Sequence, residues 1–347
     1  MDKSLLDILV DPISKTPLLL EQKKGASNHV VEGTLRGAEG RSYPISNSIP
    51  RFVLTEDQGQ RQTGGSFGFK WGQRETYESP EALGTFQKWL VHRHGFQSIE
   101  EMRSFFAGNR RVLDAGCGSA FSSSLVLNES WPNEWVGADI SAAIDVAQDR
   151  LKAIPGTHFV QADILQLPFP ERSFDLIFSE GVLHHTPSTE RAFKSLVPLL
   201  SPGGKILFYV YRKKAPVREF TDDYVRDIIS AKPPEEAWEM LRPLTKLGQA
   251  LAELSAEVEV TEDVPYLDVK AGRYDVQRLI YWHFAKLFWN KNLNFEENNH
   301  VNFDWYHPRY AHRHTASEIR SWCQDSALSI DHFDEQESGY TVRAVRR

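Results

Sequence analysis

The run Val112-Leu113-Asp114-Ala115-Gly116-Cys117-Gly118-Ser119-Ala120 constrains this chain more than any other stretch. Its leucine and valine segment reads as a buried parallel strand. The strand ends in an acid, and two glycines follow, one residue apart. Glycine at such a turn takes backbone angles closed to other residues and lets the main chain approach a ligand closely. In a doubly wound α/β fold this turn lies at the carboxyl end of the first strand, where nucleotide-like ligands bind. The third glycine of the dinucleotide fingerprint is missing, since Phe121 stands in its place. That disfavours a pyrophosphate resting on the next helix N-terminus. The expectation is an adenosine-containing cofactor other than a dinucleotide.

The acid-ended strand recurs downstream. Trp135 to Ile140 carries Asp139, 25 residues after Asp114, and Phe159 to Ile164 carries Asp163, 24 further on. A carboxylate at the end of the second strand can take both ribose hydroxyls. Phe174 to Glu180 reads as a fourth strand, followed by Gly181-Val182-Leu183-His184-His185. Leu200-Ser201-Pro202-Gly203-Gly204 leads into a fifth, Lys205 to Val210. In this order VLDAGCGSA, VGADIS, QADILQLPF, FDLIFSEGVLHH and LSPGGKILF, over about residues 105–212, resemble the class I S-adenosylmethionine (SAM)-dependent methyltransferases of the methyltransferase type 11 kind. The resemblance implies an α/β fold with a doubly wound, seven-stranded, Rossmann-like sheet and SAM as cofactor. It also implies that Asp114, Gly116, Cys117, Gly118, Asp139, Ile140, Asp163, Ile164 and Glu180 hold that cofactor. Another kind of doubly wound domain would leave the near-equal spacing of the three acids without a reason.

Composition narrows the partners. A chain of 347 residues suffices for about two domains. No apolar run reaches the length of a membrane span. The opening Met1 to Lys15 carries acids within its apolar stretch and lacks a small-residue cleavage site, so no signal peptide is expected. Cys117 and Cys323 are the two cysteines and offer no disulfide framework. A cytoplasmic protein without a membrane partner is expected. The net charge of −7 argues against nucleic acid as the main partner, because phosphate contacts need a basic surface. The oligomeric state is open.

Five segments are expected. Residues 1–55 form a small β-rich module that resembles the zinc-ribbon-like activators of some methyltransferases. The cysteine positions of that pattern match Asp11, Ser14, Arg36 and Glu39, so no metal is expected there. Asp11 and Arg36 are expected either to pair with each other or to be solvated surface charges. Residues 56–104 form a linker and a helical approach. Within them Asp57 to Gly65 is polar and reads as mobile, and Gln87 to Phe105 reads as helical. Ser66 to Trp71 is rich in aromatics, and relatives place such a segment over the cofactor. Phe69 and Trp71 are therefore candidate cofactor contacts, with packing on the core edge as the other reading. Residues 105–212 form the SAM-binding core. Residues 213–312 form a helical insertion read as a substrate lid. Its helices are expected from Pro216, over Pro234 to Leu254, and over Tyr274 to Trp289. Residues 313–347 complete the sheet: a capping box at Thr315–Glu318 opens a helix to about Asp325, and two strands follow.

The cofactor sets the chemistry. Its methyl is already activated, so alignment and exclusion of water supply much of the rate. A base is needed only where the acceptor must lose a proton. His184 and His185, just past the fourth strand, are the candidates, because imidazole titrates near neutral pH. Packing or helix capping is the competing reading for both. Tyr306 and His312, in the polar aromatic run Trp305 to His314, are candidates to line an acceptor pocket, with a packed hinge as the alternative. The expected function is methyl transfer to a small-molecule acceptor. RNA or protein methylation, or SAM binding without turnover, are the alternatives.

Overall fold

The computed structural model describes residues 1–53 and 57–347. The expected boundary between the N-terminal module and the linker, at 55/56, lies outside the described residues. Seven strands form the central sheet: β1 Arg111–Ala115, β2 Glu134–Asp139, β3 Thr157–Gln161, β4 Phe174–Glu180, β5 Leu200–Tyr211, β6 Leu328–Glu335 and β7 Gly339–Arg346. Their spatial order is β3-β2-β1-β4-β5-β7-β6. Strands β1 to β5 are parallel, and β7 runs antiparallel to both of its neighbours. The chain builds outward from β1 in one direction and then returns to lay β4 on its other side. A crevice for a ligand forms at that reversal, outside the carboxyl ends of β1 and β4.

Successive residues of these strands face opposite layers. Leu113, Val136, Ile177 and Ile206 pack with Phe193 and Trp322, while Val112, Trp135, Leu176 and Leu207 pack with Leu90, Phe106 and Ile144. Both faces are covered, which is why the strands are nearly continuous apolar runs. The flanking helices are α1 Gln58–Gly72, α2 Pro80–Arg93, α3 Ile99–Ala107, α4 Phe121–Val126, α5 Ala143–Leu151 and α6 Thr189–Leu196.

The segment Asp57 to Gly65 is not a mobile linker. Asp57 caps α1, accepting the Gln60 N–H at 2.7 Å, and Gln60, Thr63, Gly64 and Ser66 are buried. The glycines make this possible. A Cβ at Gly64 would already touch Ile140 at 3.5 Å, and one at Gly59 would lie 2.6 Å from the Tyr310 hydroxyl. A helix of small and polar residues can thus lie close over the rim of the sheet.

The N-terminal segment is a four-stranded antiparallel sheet, Leu19–Gly25, Val30–Arg36, Ser42–Ser46 and Ile49–Pro50. Val30, Leu35, Tyr43 and Phe52 join the same apolar cluster as Leu113 and Val136. The Phe52 N–H donates to the Gln161 carbonyl of β3 at 2.6 Å, and Arg51 pairs with Asp145 of α5 at 2.8 Å. The expected Asp11–Arg36 pair does not form. Asp11 is wholly buried and accepts the Ile13 and Ser14 N–H groups, the Tyr43 hydroxyl at 3.1 Å and Arg41 at 2.9 Å. Burial pushes its pKa up, but these donors, Arg41 foremost, hold it at about 2. Arg36 follows the inward-facing Leu35 on its strand, so it points to solvent and pairs with Glu21 at 2.9 Å.

The insertion contains α7 Pro216–Ile229, α8 Pro234–Glu253, α9 Val276–His283 and α10 Phe295–Tyr306, and also an antiparallel hairpin, Glu257–Val260 with Gly272–Asp275. Helix α9 ends at His283, short of the expected Trp289. The irregular chain that follows takes its hydrogen bonds from buried amides. Asn302 accepts the Phe288 N–H at 2.9 Å and donates to the Phe288 carbonyl at 3.2 Å. Asn298 accepts the Asn290 N–H at 2.7 Å and donates to the Leu293 carbonyl at 3.1 Å, and Gln277 donates to the Leu287 carbonyl at 2.7 Å. These contacts account for a helix α10 whose asparagines are wholly buried: they satisfy backbone groups that would otherwise be stranded. Helix α11, Ala316–Asp325, begins with the Thr315–Glu318 capping box. Among the described residues no helix is long and apolar enough to cross a membrane.

Candidate cofactor and acceptor cleft

The glycine turn after β1 has positive φ at Gly116 (83°) and Gly118 (54°). A Cβ at Gly116 would lie 2.2 Å from Val182 Cγ1, and one at Gly118 would lie 2.6 Å from Trp71 Nε1. Both the backbone angles and the close approach therefore demand glycine. Asp139, at the end of β2, ties this turn to its own strand. One carboxyl oxygen accepts the Gly118 N–H at 2.8 Å, and the other accepts the Ser141 N–H and hydroxyl at 2.7 and 2.6 Å. Burial raises its pKa against these bonds. Asp114 lies behind the turn, bonded by the Ser123 hydroxyl. Burial pushes it up to about 7, Ser123 opposes, and Asp139 and Glu180 push further in the same direction. Cys117 is buried in the turn, which raises its thiol pKa well above the usual value. Asp163 accepts the Gln60 side-chain amide and the Leu165 N–H, each at 2.9 Å. Glu180 is held by Arg93 and by His94 at 2.8 Å.

In front of the turn lies a cavity of about 850 Å³. One wall is the rim of the sheet, with Gly116, Ala138, Asp139, Ile140, Ile164 and Glu180. A second is α1, with Gln60, Thr63, Phe67, Lys70 and Trp71. The third belongs to the insertion, with Tyr281, Trp282, Lys286, Phe288 and Asp304. Helical spacing explains which α1 aromatics face the cavity. Phe67 and Trp71 are four residues apart on one face. Phe69 points the other way and packs on Trp238 and Phe303, away from the cleft.

The insertion end of the cavity is charged. Asp304 pairs with Lys70 and accepts the Tyr211 hydroxyl at 3.1 Å. Burial raises Asp304, but Lys70 and His185 outweigh it and hold the carboxyl well below the usual range. His185 lines the cavity, and its Nδ1 lies 2.6 Å from the Tyr310 carbonyl. A carbonyl only accepts, so Nδ1 carries the proton. Nε2 then holds the lone pair and has no partner among the described residues. Burial lowers the His185 pKa to about 4, with Asp304 opposing, so the ring is neutral at physiological pH.

The other three catalytic candidates lie off the cavity wall. His184 is wholly buried, its ring 3.6 Å from that of Tyr211 by centroids. Tyr306 is also wholly buried, donates to Asp222 at 2.8 Å and accepts the Lys286 N–H at 3.1 Å. His312 stacks on Tyr310 at 5.7 Å, and its N–H donates to the His184 carbonyl at 2.9 Å. Sequence reasoning missed Lys286, Asp304 and Tyr211. Lys286 did carry a signal, as a lone charge inside Phe284-Ala285-Lys286-Leu287-Phe288.

The strand order, the acid-ended strands and the glycine turn define a class I, Rossmann-like fold with a cofactor crevice at the switch point. Residues 113–208 match the family described as a methyltransferase domain, so the chain carries a class I SAM-dependent methyltransferase domain, whose cofactor is SAM. It is 30% identical over 114 residues to phthiotriol/phenolphthiotriol dimycocerosates methyltransferase 1 of Mycobacterium ulcerans, covering 33% of this chain and 42% of that protein. It is 28% identical over 167 residues to malonyl-[acyl-carrier protein] O-methyltransferase 1 of Ilyobacter polytropus, covering 47% and 56%. The chain thus spans about half the length of these curated relatives. Among solved structures, magnesium protoporphyrin IX methyltransferase of Synechocystis gives a TM-score of 0.43 at 14% identity, covering 85% of this chain and 100% of that one, a likeness too weak to inform the site.

Proposed function

We propose that this protein transfers the methyl group of SAM to a small molecule enclosed in the cleft. One observation carries the reading: the glycine turn with Asp139, His185 just past β4, and the insertion wall with Lys286 and Asp304 border a single cavity. When bound, SAM supplies a methyl on a sulfonium. The residues present fit it. Gly116 and Gly118 let Val182 and Trp71 close on the turn without a clash and leave its backbone bare toward the cavity, and Asp139 presents a buried carboxylate to the ribose hydroxyls. Ile140 and Ile164 border the same end, Asp163 holds the cavity-lining Gln60 from behind, and Trp71 covers the turn. Asp114 and Cys117 shape the turn from behind. Glu180, on the cavity wall, acts by fixing Arg93 beside it and the buried His94.

His185 is the base for an acceptor that must lose a proton. Its tautomer is set by Tyr310 and its free nitrogen belongs to a cavity-lining ring. The insertion closes the chamber and keeps water from the transfer. Enclosure favours a small acceptor over RNA or a folded protein, and the net charge of −7 agrees. Two relatives carry names of lipid and carrier-bound acceptors. The test is to incubate the protein with methyl-labelled SAM and, separately, the small-molecule, RNA and protein fractions of a cell extract. Label should enter the small-molecule fraction. Label in RNA or protein alone would replace this reading.

A further inference from the structure

Lys88 and Arg278 also line the cavity but are exposed, whereas the other cations that border its acceptor end are buried or half-buried and differ in one respect. Lys70 pairs with Asp304, Arg93 with Glu180, and Arg218, just behind the wall, with Asp222 at 2.6 Å. Lys286 lines the same cavity and is only 7% exposed. Its ammonium makes no ion pair or hydrogen bond to any described residue and instead lies 4.4 Å from the Trp305 ring centroid. Its own N–H donates to Asp222 at 3.1 Å and to the Tyr306 hydroxyl at 3.1 Å, so the backbone that presents it is fixed.

A buried ammonium costs free energy unless an opposite charge answers it. Asp304 is already engaged by Lys70 and Tyr211, and Asp222 by Arg218, Trp305 and Tyr306. Burial lowers Lys286 to about 7, with Asp304 raising it and Arg218 lowering it further. The empty site therefore holds the amine partly neutral near pH 7, and an anion entering the cavity would restore its charge and supply the counter-charge that no described residue gives.

We propose that the acceptor carries an anionic oxygen group, a carboxylate or phenolate, that sits on the Lys286 ammonium at the insertion end of the cleft. This rests on the methyltransferase reading and adds the chemical class of the acceptor. The apolar walls of Tyr281, Trp282 and Phe288 fit an anion attached to an apolar body.

The test titrates benzoate and phenylacetate, with benzamide and phenylacetamide as uncharged mates, into the full chain saturated with S-adenosylhomocysteine. Heat or tryptophan fluorescence reports binding. The acids should bind about tenfold or more tighter than the amides, as expected for a charge-assisted contact in a dry site. Lys286→Met should bring the acids down to the level of the amides, and Lys286→Arg should keep most of the preference. The proposal is overturned if the acids have no advantage, if they keep it in Lys286→Met, or if no probe binds. Affinity for S-adenosylhomocysteine, measured first in each protein, separates the two claims. Its absence from the wild type would sink the methyltransferase reading. Intact cofactor binding with indifferent acids would sink only the role of Lys286. Lys286→Met should leave that affinity unchanged, because Asp139 and the glycine turn that hold the cofactor lie on the sheet and Lys286 lies on the insertion.

Discussion

Replacing Asp139 separates its two roles. The carboxylate already receives three internal donors, from Gly118 and Ser141, at 2.6 to 2.8 Å. If it also accepts the ribose hydroxyls of SAM, Asp139→Ala removes both sets of bonds at once. Hydrogen bonds to a charged group contribute about 1.5–3 kcal/mol each, and not all of that is lost where water can enter. A loss of about 3 kcal/mol in cofactor binding follows, near a hundredfold in Kd. Stability of the cofactor-free protein should also fall, by about 1–3 kcal/mol, because the Gly118 N–H is left without its acceptor. Ser141→Ala is the control. It removes one internal donor and leaves the carboxylate in place, so it should lower stability slightly and leave Kd within about twofold. Calorimetric titration with SAM and thermal melts without ligand read the two effects. A Kd that stays within about twofold in Asp139→Ala while the melting temperature drops would show that Asp139 only braces the turn, and the ribose assignment would be refuted.

Three further perturbations check other parts of the account. Asp114 keeps its proton up to about pH 7 in the fold, against about 3.9 in the unfolded chain. Its contribution is therefore full below about pH 4 and is lost as pH rises toward 7, by up to about 4 kcal/mol. Melts of wild type and Asp114→Asn between pH 5 and 8 should diverge, the variant gaining on the wild type as pH rises; parallel curves would contradict the shift. His185→Gln should cut turnover by roughly 10²- to 10⁴-fold for an acceptor that loses a proton, with SAM affinity unchanged. The wild-type rate should be flat near neutrality and fall only as pH drops toward 4, where the ring becomes charged; a rate that falls near pH 6.5, the value of a free imidazole, would point to another base. Asn302→Leu strands the Phe288 N–H and carbonyl, at a cost of about 1–3 kcal/mol for each, and should loosen the insertion wall. Transfer should drop while SAM affinity holds; equal losses in both would make this segment part of the core.

The sheet was legible because buried parallel strands leave a plain trace. β1 to β5 are apolar runs, four of which end within two residues of an acid (Asp114, Asp139, Asp163 and Glu180), and their order alone gives the crevice. Other features depend on contacts that periodicity does not carry. Helix α1 is built from Gln, Gly and Ser, so no apolar stripe marks it; it forms because small residues fit over the rim of β2. With that helix unseen, Phe69 stands as a candidate and Phe67 does not; the helical turn reverses them, placing Phe67 on the cavity and Phe69 against Trp238 and Phe303. The apolar spacing of α9 does continue to Trp289, but the side chains of Asn298 and Asn302 take the backbone groups that further helix would have used. Asp11 found its cation five residues beyond the expected one, because alternation on the strand turns Arg36 outward and the following turn brings Arg41 in.

The central claim is that the cofactor end and the acceptor end share one chamber between the sheet rim, α1 and the insertion. A crystal structure with S-adenosylhomocysteine tests it most directly. The ribose hydroxyls should lie on Asp139, and the sulfur should face the space between His185 and Lys286. A cofactor bound elsewhere, or a sulfur turned away from that space, would contradict the account.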